Sequence, residues 1–289
     1  MSHSPATPVE AWLYQDRKIL PQVEFLAEEN PLDISLDGES LAITLCSPDH
    51  HRDLALGLLF SEGRIDSAGD IVTWREFTPS RDTTEISVAR QEAFTRPGSG
   101  IIPAKAHAAR KLAMNSACGL CGKTEWENPP APWMPAAERP QGLTLKVEDI
   151  PRRFAAMSEG QEDFRRTGAC HAAAAFSPDG ELLSVREDIG RHNAVDKVVG
   201  DLLAQRLIGR EARRDGSQWP ALLCVSGRVA YEIVAKAYRA GFAAIASVGA
   251  PSSLSVRQAQ TWGLTLVGFC REGRATLYSA GQTPLFENH

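Results

Sequence analysis

Long apolar runs are missing from this chain. No stretch approaches the roughly 18 consecutive apolar residues that a membrane-spanning helix needs. The opening MSHSPATPVEAWLYQD has no basic cluster followed by an apolar run, so no secretory signal is read there. Positive charge is not in excess either: 31 Lys and Arg stand against 36 Asp and Glu, a formal net charge of -5. A general nucleic-acid binder would show a basic bulk with a clustered basic face, so that class is excluded. Cysteine is sparse. Six residues (Cys46, Cys118, Cys121, Cys170, Cys224 and Cys270) in 289 are no disulfide framework. These absences set the expectation of a cytoplasmic protein with reduced thiols, and with neither nucleic acid nor membrane among its partners.

What is present is an ordinary globular composition. The chain is 43% apolar and 23% charged, long enough for two domains of common size or one large one. Residues 1–20 read as a loose lead-in with a short strand. Residues 21–95 read as a small α+β domain. Within it, LDISLDGESLAITLC alternates around Asp37-Gly38 as a β-hairpin does. Ser47 and Pro48 look like a helix start, with Leu54, Leu58 and Leu59 as an apolar stripe ending near Gly63. Strand-like alternation returns over 71–90. Residues 96–140 turn to glycine, proline, alanine and basic residues, a connector with a mobile loop. Residues 141–289 alternate strands and helices with short connections, which predicts a layered α/β domain. Asp188 reads as an N-cap for the helix after it, and Cys46 and Cys224 as small buried hydrophobes.

The connector holds the most reactive pattern, Ser116-Ala117-Cys118-Gly119-Leu120-Cys121-Gly122-Lys123. Two thiols three apart, near Lys111 and Lys123, favour the thiolate form. The flanking glycines allow tight folding and a swing toward a partner. Half of a zinc site is the plainer reading, but a structural zinc wants four ligands. The sole other candidate pair, Cys170-His171, is adjacent in sequence and poorly suited to supply two. A thioredoxin-like dithiol is a third reading, although such pairs follow a strand and open a helix.

Two strand-to-helix junctions offer backbone amides to an anion: Ser226-Gly227-Arg228 and Ala250-Pro251-Ser252-Ser253. Arg228 supplies a planar fork suited to phosphate oxygens. The turn Gly268-Phe269-Cys270-Arg271-Glu272-Gly273-Arg274 adds charge at a strand end. His192 sits in the dense polar run Glu187–Lys197, where a hydrogen-bonded junction histidine and a catalytic one both remain open.

Taken in order, SACGLCGK, TGACHAAA, EDIGRHNAVDK, SGRVAYEIVAKAYRAG, APSSLSVRQAQ and LTLVGFCREGR resemble the FdhD family of formate dehydrogenase accessory sulfurtransferases. They span about residues 116–274, and Cys170 stands where a small non-thiol residue is expected. The resemblance implies a homodimer that takes persulfide sulfur from a cysteine desulfurase. It implies transfer of that sulfur to the molybdenum (or tungsten) bis-guanine-dinucleotide cofactor that formate dehydrogenase requires. It implies a C-terminal domain like that of cytidine deaminase, with Cys118 as the persulfide residue and Cys121 as its partner. Phe269, Cys270, Arg271, Glu272, Gly273 and Arg274 would contact the cofactor, aided by Ser226, Arg228 and His192. GDP or GMP would act as mimics, and no structural metal is implied. Deamination itself is excluded, because Ala173 stands where the general acid of an H-x-E motif would be, and the cysteine pair lies upstream. A thiol–disulfide oxidoreductase and a non-catalytic cofactor escort are the alternatives.

Overall fold

The Asp37-Gly38 turn shows how locally this sequence specifies its strands. Both residues take positive φ, 53° and 87°, the turn geometry that matches strand twist and that Asp-Gly adopts readily. It joins β3 (Asn30–Leu36) to β4 (Glu39–Cys46) in an antiparallel pair. Leu32, Ile34 and Leu36 alternate inward with Ala42 and Cys46. The computed structural model describes residues 6–80, 83–90, 113–114, 129–134, 146–212 and 219–281. From Ala6 onward the chain is more regular than the expected loose lead-in with a short strand. It forms two ten-residue strands, β1 (Ala6–Gln15) and β2 (Lys18–Ala27), paired as a separate ribbon.

With β5 (Ile71–Ser80), β6 (Thr83–Arg90) and the short β7 (Ala113–Met114), the first half builds a five-stranded sheet in the order β5-β6-β3-β4-β7. The second half builds a six-stranded sheet. Its strands are β8 (His171–Phe176), β9 (Leu182–Asp188), β10 (Leu222–Val225), β11 (Ala244–Ser247), β12 (Thr265–Arg271) and β13 (Arg274–Ala280). Their order is β13-β12-β11-β10-β8-β9, with β10, β11 and β12 parallel and the flanking pairs antiparallel. The fold is thus α/β, with mixed sheets in N- and C-terminal subdomains.

Helices fill the space between. α1 (His51–Ser61) and α4 (Arg191–Ala204) lie against each other, and their apolar faces share one core with β3, β6 and β8. Their approach is set by a reciprocal glycine pair. A Cβ on Gly57 would collide with the Asp196 carbonyl, and one on Gly200 with the Asp53 carbonyl. Backbone therefore meets backbone where other residues would hold the helices apart. α5 (Tyr231–Arg239) and α6 (Ser253–Thr261) extend this layer. α2 (Ile150–Glu159) covers the opposite face of the six-stranded sheet through Ile150 and Met157, and is followed by α3 (Glu162–Thr167).

α1 begins later than expected. His50, at φ 51°, is its N-cap, and neither Ser47 nor Pro48 lies in the first turn. In the connector, residues 129–134 are irregular yet anchored. Trp133 donates its indole N–H to the Ala240 carbonyl at 2.7 Å, and Arg239 reaches the Ala131 carbonyl at 2.6 Å.

Candidate functional site

The six-stranded sheet brings one end of each of its strands to a single edge. β10, β11 and β12 finish there; β8 starts there, since Ala173 pairs with Val225 and His171 with Asp188 at the end of β9. Crevices outside the carboxyl ends of parallel strands are the usual ligand positions in open α/β sheets.

Asp188 organises the first part of this edge. It is not the N-cap expected from the sequence; Gly190 holds that position. Its carboxylate instead accepts from the Gly190 amide at 2.8 Å, the Asn193 side chain at 3.0 Å and the Ser47 amide at 3.1 Å. It also faces the Lys197 ammonium at 2.9 Å. Lys197 is fully buried and also reaches Asp49 at 2.6 Å. Burial opposes the charge on Lys197, but Asp188 and Asp49 outweigh it and its pKa is raised. These contacts tie the β4–α1 junction to the β9–α4 junction, which is why Ser47 is unavailable to α1. Its hydroxyl receives the Ile189 amide at 3.1 Å and lies 3.9 Å from the Cys170 sulfur.

Next to it lies a cationic stretch. The His171 ring and the Arg191 stem both crowd Gly227, within 3.3 Å and 3.4 Å of the place a Cβ would occupy. His171 Nδ1 is 3.4 Å from the Ser226 hydroxyl, which accepts from the Ala172 amide at 2.9 Å. Burial, then the Arg191 and Arg228 charges, push the His171 pKa down, against a smaller opposing effect of Asp188. The imidazole is therefore held neutral beside two guanidinium groups. Arg228 is exposed, and no hydrogen bond or ion pair among the described residues engages it. The expected helix at Ser226-Gly227-Arg228 is corrected: α5 opens only at Tyr231, with Ala230 as N-cap. Residues 226–229 are strand-end loop, bridging to Pro251 through Val229. At the second junction the expected start holds. Ser252 caps α6, but its hydroxyl is committed to the Ser255 amide and hydroxyl.

Gly249 closes the loops together. A Cβ there would stand 2.9 Å from the Arg228 amide nitrogen and the Gly227 oxygen, so the β10 and β11 ends touch through backbone. The Phe269 amide donates to the Gly249 carbonyl at 3.1 Å. Phe269 itself carries φ 52°, a strained value for an aromatic residue. A register shift between Gly268 and Arg271 throws its ring outward, half-exposed, with the Arg274 guanidinium 6.0 Å over it. Arg271, Glu272, Gly273 and Arg274 are exposed at the same end.

Other sites expected from the sequence fall differently. Cys270 turns inward at 3% exposure, and burial pushes its thiol to about 11. His192 is buried in the first turn of α4, with Nε2 3.3 Å from the Glu232 carboxylate. Cys118 and Cys121 lie outside the described residues. The four described cysteines are all buried and free. Desolvation raises Cys46 and Cys224 far above the usual thiol range and Cys170 to about 11. None of these four is a thiolate at neutral pH. Among the described residues no cluster of His, Cys, Asp and Glu is arranged to hold a metal, and no helix is long and apolar enough to cross a membrane. Arg191 and Gly249 were not singled out from sequence; the density of polar residues in EDIGRHNAVDK was the signal for the first.

A family model described as FdhD/NarQ matches residues 27–284. The chain belongs to the FdhD/NarQ family. Sulfur carrier protein FdhD of Nocardia farcinica is 40% identical over 259 residues, covering 88% of this chain and 86% of that one. That of Anaeromyxobacter dehalogenans is 38% identical over 258 residues, with 89% and 87% covered. The protein of that name from Sulfurisphaera tokodaii is 33% identical over 263 residues, with 89% and 90% covered. The crystal structure of a candidate formate dehydrogenase accessory protein from Desulfotalea psychrophila shares the fold. Its TM-score is 0.69 at 22% identity, with 98% of this chain and 100% of that one covered. The strand-end edge is thus a feature of an FdhD/NarQ chain that matches its relatives over nearly their whole length.

Proposed function

We propose that this chain carries sulfur on Cys118 and delivers it to a guanine-dinucleotide form of the molybdenum cofactor seated along the strand-end edge. The chain is an FdhD-type sulfur carrier and sulfurtransferase linked to formate dehydrogenase. One observation carries the assignment of the thiol. Every described cysteine is a buried, protonated thiol, which leaves Cys118 and Cys121 as the sulfur chemistry available. Topology adds support. β7 pairs parallel with β4, Ile43 with Ala113 and Thr44 with Met114. The chain at Met114 therefore runs toward the end where Ser47 meets Asp188 and Cys170. Cys118 follows Met114 by four residues, a reach of at most about 14 Å.

The Cys118 thiolate attacks the outer sulfur of a persulfide on a cysteine desulfurase. A Cys118 persulfide forms, and the donor cysteine leaves as a thiolate. Release of that sulfur as sulfide needs two electrons, since sulfane sulfur is more oxidised. Cys121 supplies them by attacking the Cys118 sulfur, leaving a Cys118–Cys121 disulfide and hydrosulfide, which replaces an oxygen ligand on the substrate metal, that oxygen leaving as hydroxide or water. A cellular thiol reductant then restores the pair. Arg228, Arg271, Arg274 and Arg191 hold the nucleotide phosphates, charge-assisted contacts contributing about 1.5–3 kcal/mol each. Phe269 offers an exposed face for a guanine ring. The close backbone packing of Gly249 against Gly227 and Arg228 fixes the loop that presents the Arg228 guanidinium. Ser226 positions His171 beside this ligand, and His192 supports the edge from within α4.

The C-terminal subdomain reads as a cytidine-deaminase-like layer, supported by its mixed sheet with helices on both faces. The protein works in the cytoplasm as a homodimer, with formate dehydrogenase as recipient. Cys118→Ala should abolish formate dehydrogenase activation in cells while the purified variant keeps its melting temperature. Retained activation would refute the proposal. An escort that only delivers cofactor would keep function in Cys118→Ala and lose it in Arg228→Glu.

A further inference from the structure

Helices α4 and α5 share a ladder of polar groups inside an otherwise apolar layer. His192 and Glu232, each the second residue of its helix, meet at 3.3 Å between Nε2 and the carboxylate. One turn further along both helices, the Lys236 ammonium donates to both Asp196 oxygens at 2.8 Å. All four side chains are buried, and the same helices place Val195, Val199, Ile233 and Ala237 in the main core. Such a ladder is a poor source of stability, because apolar side chains in place of a buried ion pair are often neutral or stabilising. What polar rungs do supply is register. A slip of one turn, about 5.4 Å, would in one direction set Glu232 against Asp196, two carboxylates. In the other it would set His192 against Lys236 and leave Asp196 facing Ala240. Rungs that match at 192 with 232 and at 196 with 236 also mean that both helices start at the same end. Their aligned dipoles repel there, and the Glu232 carboxylate in the first turn offsets that repulsion.

That end is the strand-end edge. Arg191 opens α4, and its stem packs 3.4 Å from the place a Cβ on Gly227 would occupy. Arg228 follows Gly227 in the loop that leads into α5. The His192–Glu232 rung therefore ties together the two chain segments that carry these guanidinium groups. We propose that Glu232, through His192, is a positioning residue for phosphate recognition: the pair fixes Arg191 and Arg228 relative to each other, so that both close on one nucleoside diphosphate. Neither Glu232 nor His192 touches the ligand. This role rests on the nucleotide seat proposed above, and assigns part of its phosphate affinity to a buried pair.

Calorimetric titration of the purified full chain with GDP, and with guanosine, which shares the base but carries no phosphate, tests this. His192→Leu combined with Glu232→Leu should stay folded, since an apolar pair replaces a buried polar one. It should lose about tenfold in GDP affinity, the lower end of one charge-assisted contact, with guanosine binding unchanged. Glu232→Gln keeps the shape without the charge; it carries the test if the leucine pair does not fold, and should also lose GDP affinity selectively. In an Arg228→Ala background the leucine pair should cost little further, because one of the two groups it positions is gone. Equal losses for GDP and guanosine, or a full additional loss in the Arg228→Ala background, would mean structural support alone and overturn the inference. So would unchanged GDP affinity in a folded leucine pair. If Arg228→Ala by itself left GDP affinity unchanged, the nucleotide seat would fall and the positioning role with it.

Discussion

Two sets of cations in the C-terminal half of the chain are treated in opposite ways. Lys197 and Lys236 are buried within helices α4 and α5, each locked to carboxylates. Lys197 faces Asp188 and Asp49, and Lys236 meets both oxygens of Asp196 at 2.8 Å, with Ser61 also donating to Asp196. Arg228 and Arg271 are exposed, with no ion pair among the described residues. Buried charges without partners are expensive, so the first set is bound into the fold. The second set costs little while hydrated and gains a great deal when an anion arrives. Cations bound into the fold are thus told apart from those left hydrated at the surface by what already faces them, not by their position in the chain.

The largest expected effect comes from breaking the first set. Lys197→Met leaves Asp188 and Asp49 without their ammonium, and should cost about 3–5 kcal/mol of stability, read as a fall in urea midpoint. A cost near zero would mean that water compensates Asp188. Arg228→Glu should do the reverse, leaving the urea midpoint alone and weakening GDP binding about ten- to a hundredfold, the loss of one charge-assisted contact. Unchanged GDP affinity would place the nucleotide elsewhere.

The smallest effect sharpens the comparison through His171, neutral because burial and two guanidinium groups depress its pKa. The unfolded chain binds this proton more readily, so the histidine's contribution to stability is present above its unfolded pKa. It is lost as pH falls through the lowered folded value. A bound phosphate would favour the protonated ring. GDP affinity should therefore rise as pH falls through the lowered His171 value, and His171→Gln should flatten that rise. A rise that persists in the variant would point to a different titrating group.

How much of this was legible depends on whether the controlling partners were local. The β3–β4 hairpin was readable because Asp37-Gly38 and the alternation around it act within the hairpin itself. The order of strands and helices after residue 170 was readable for the same reason. The ribbon was not: Pro8 and Pro21 interrupt its strands, and neither face is buried, so no inward period exists to detect. Ser47 and Asp188 both looked like caps because Ser and Asp favour such positions, yet the Ser47 amide and the Asp188 carboxylate, 141 positions apart, serve each other. Tertiary contact overrode local preference there. Cys270 sat in a motif that drew attention as a whole, and burial pattern alone separates its inward thiol from the outward Phe269. His171 and Ser226 become a pair only when β8 is laid beside β10.

The central claim is that sulfur rides on the Cys118–Cys121 segment and on no other thiol of this chain. Mass spectrometry of proteolytic peptides, after incubation with a cysteine desulfurase and cysteine, tests it most directly. The account predicts added sulfur on the peptide containing Cys118, and none on those containing Cys46, Cys170, Cys224 or Cys270. Sulfur found on Cys170 or Cys270, with the Cys118 peptide unmodified, would contradict it.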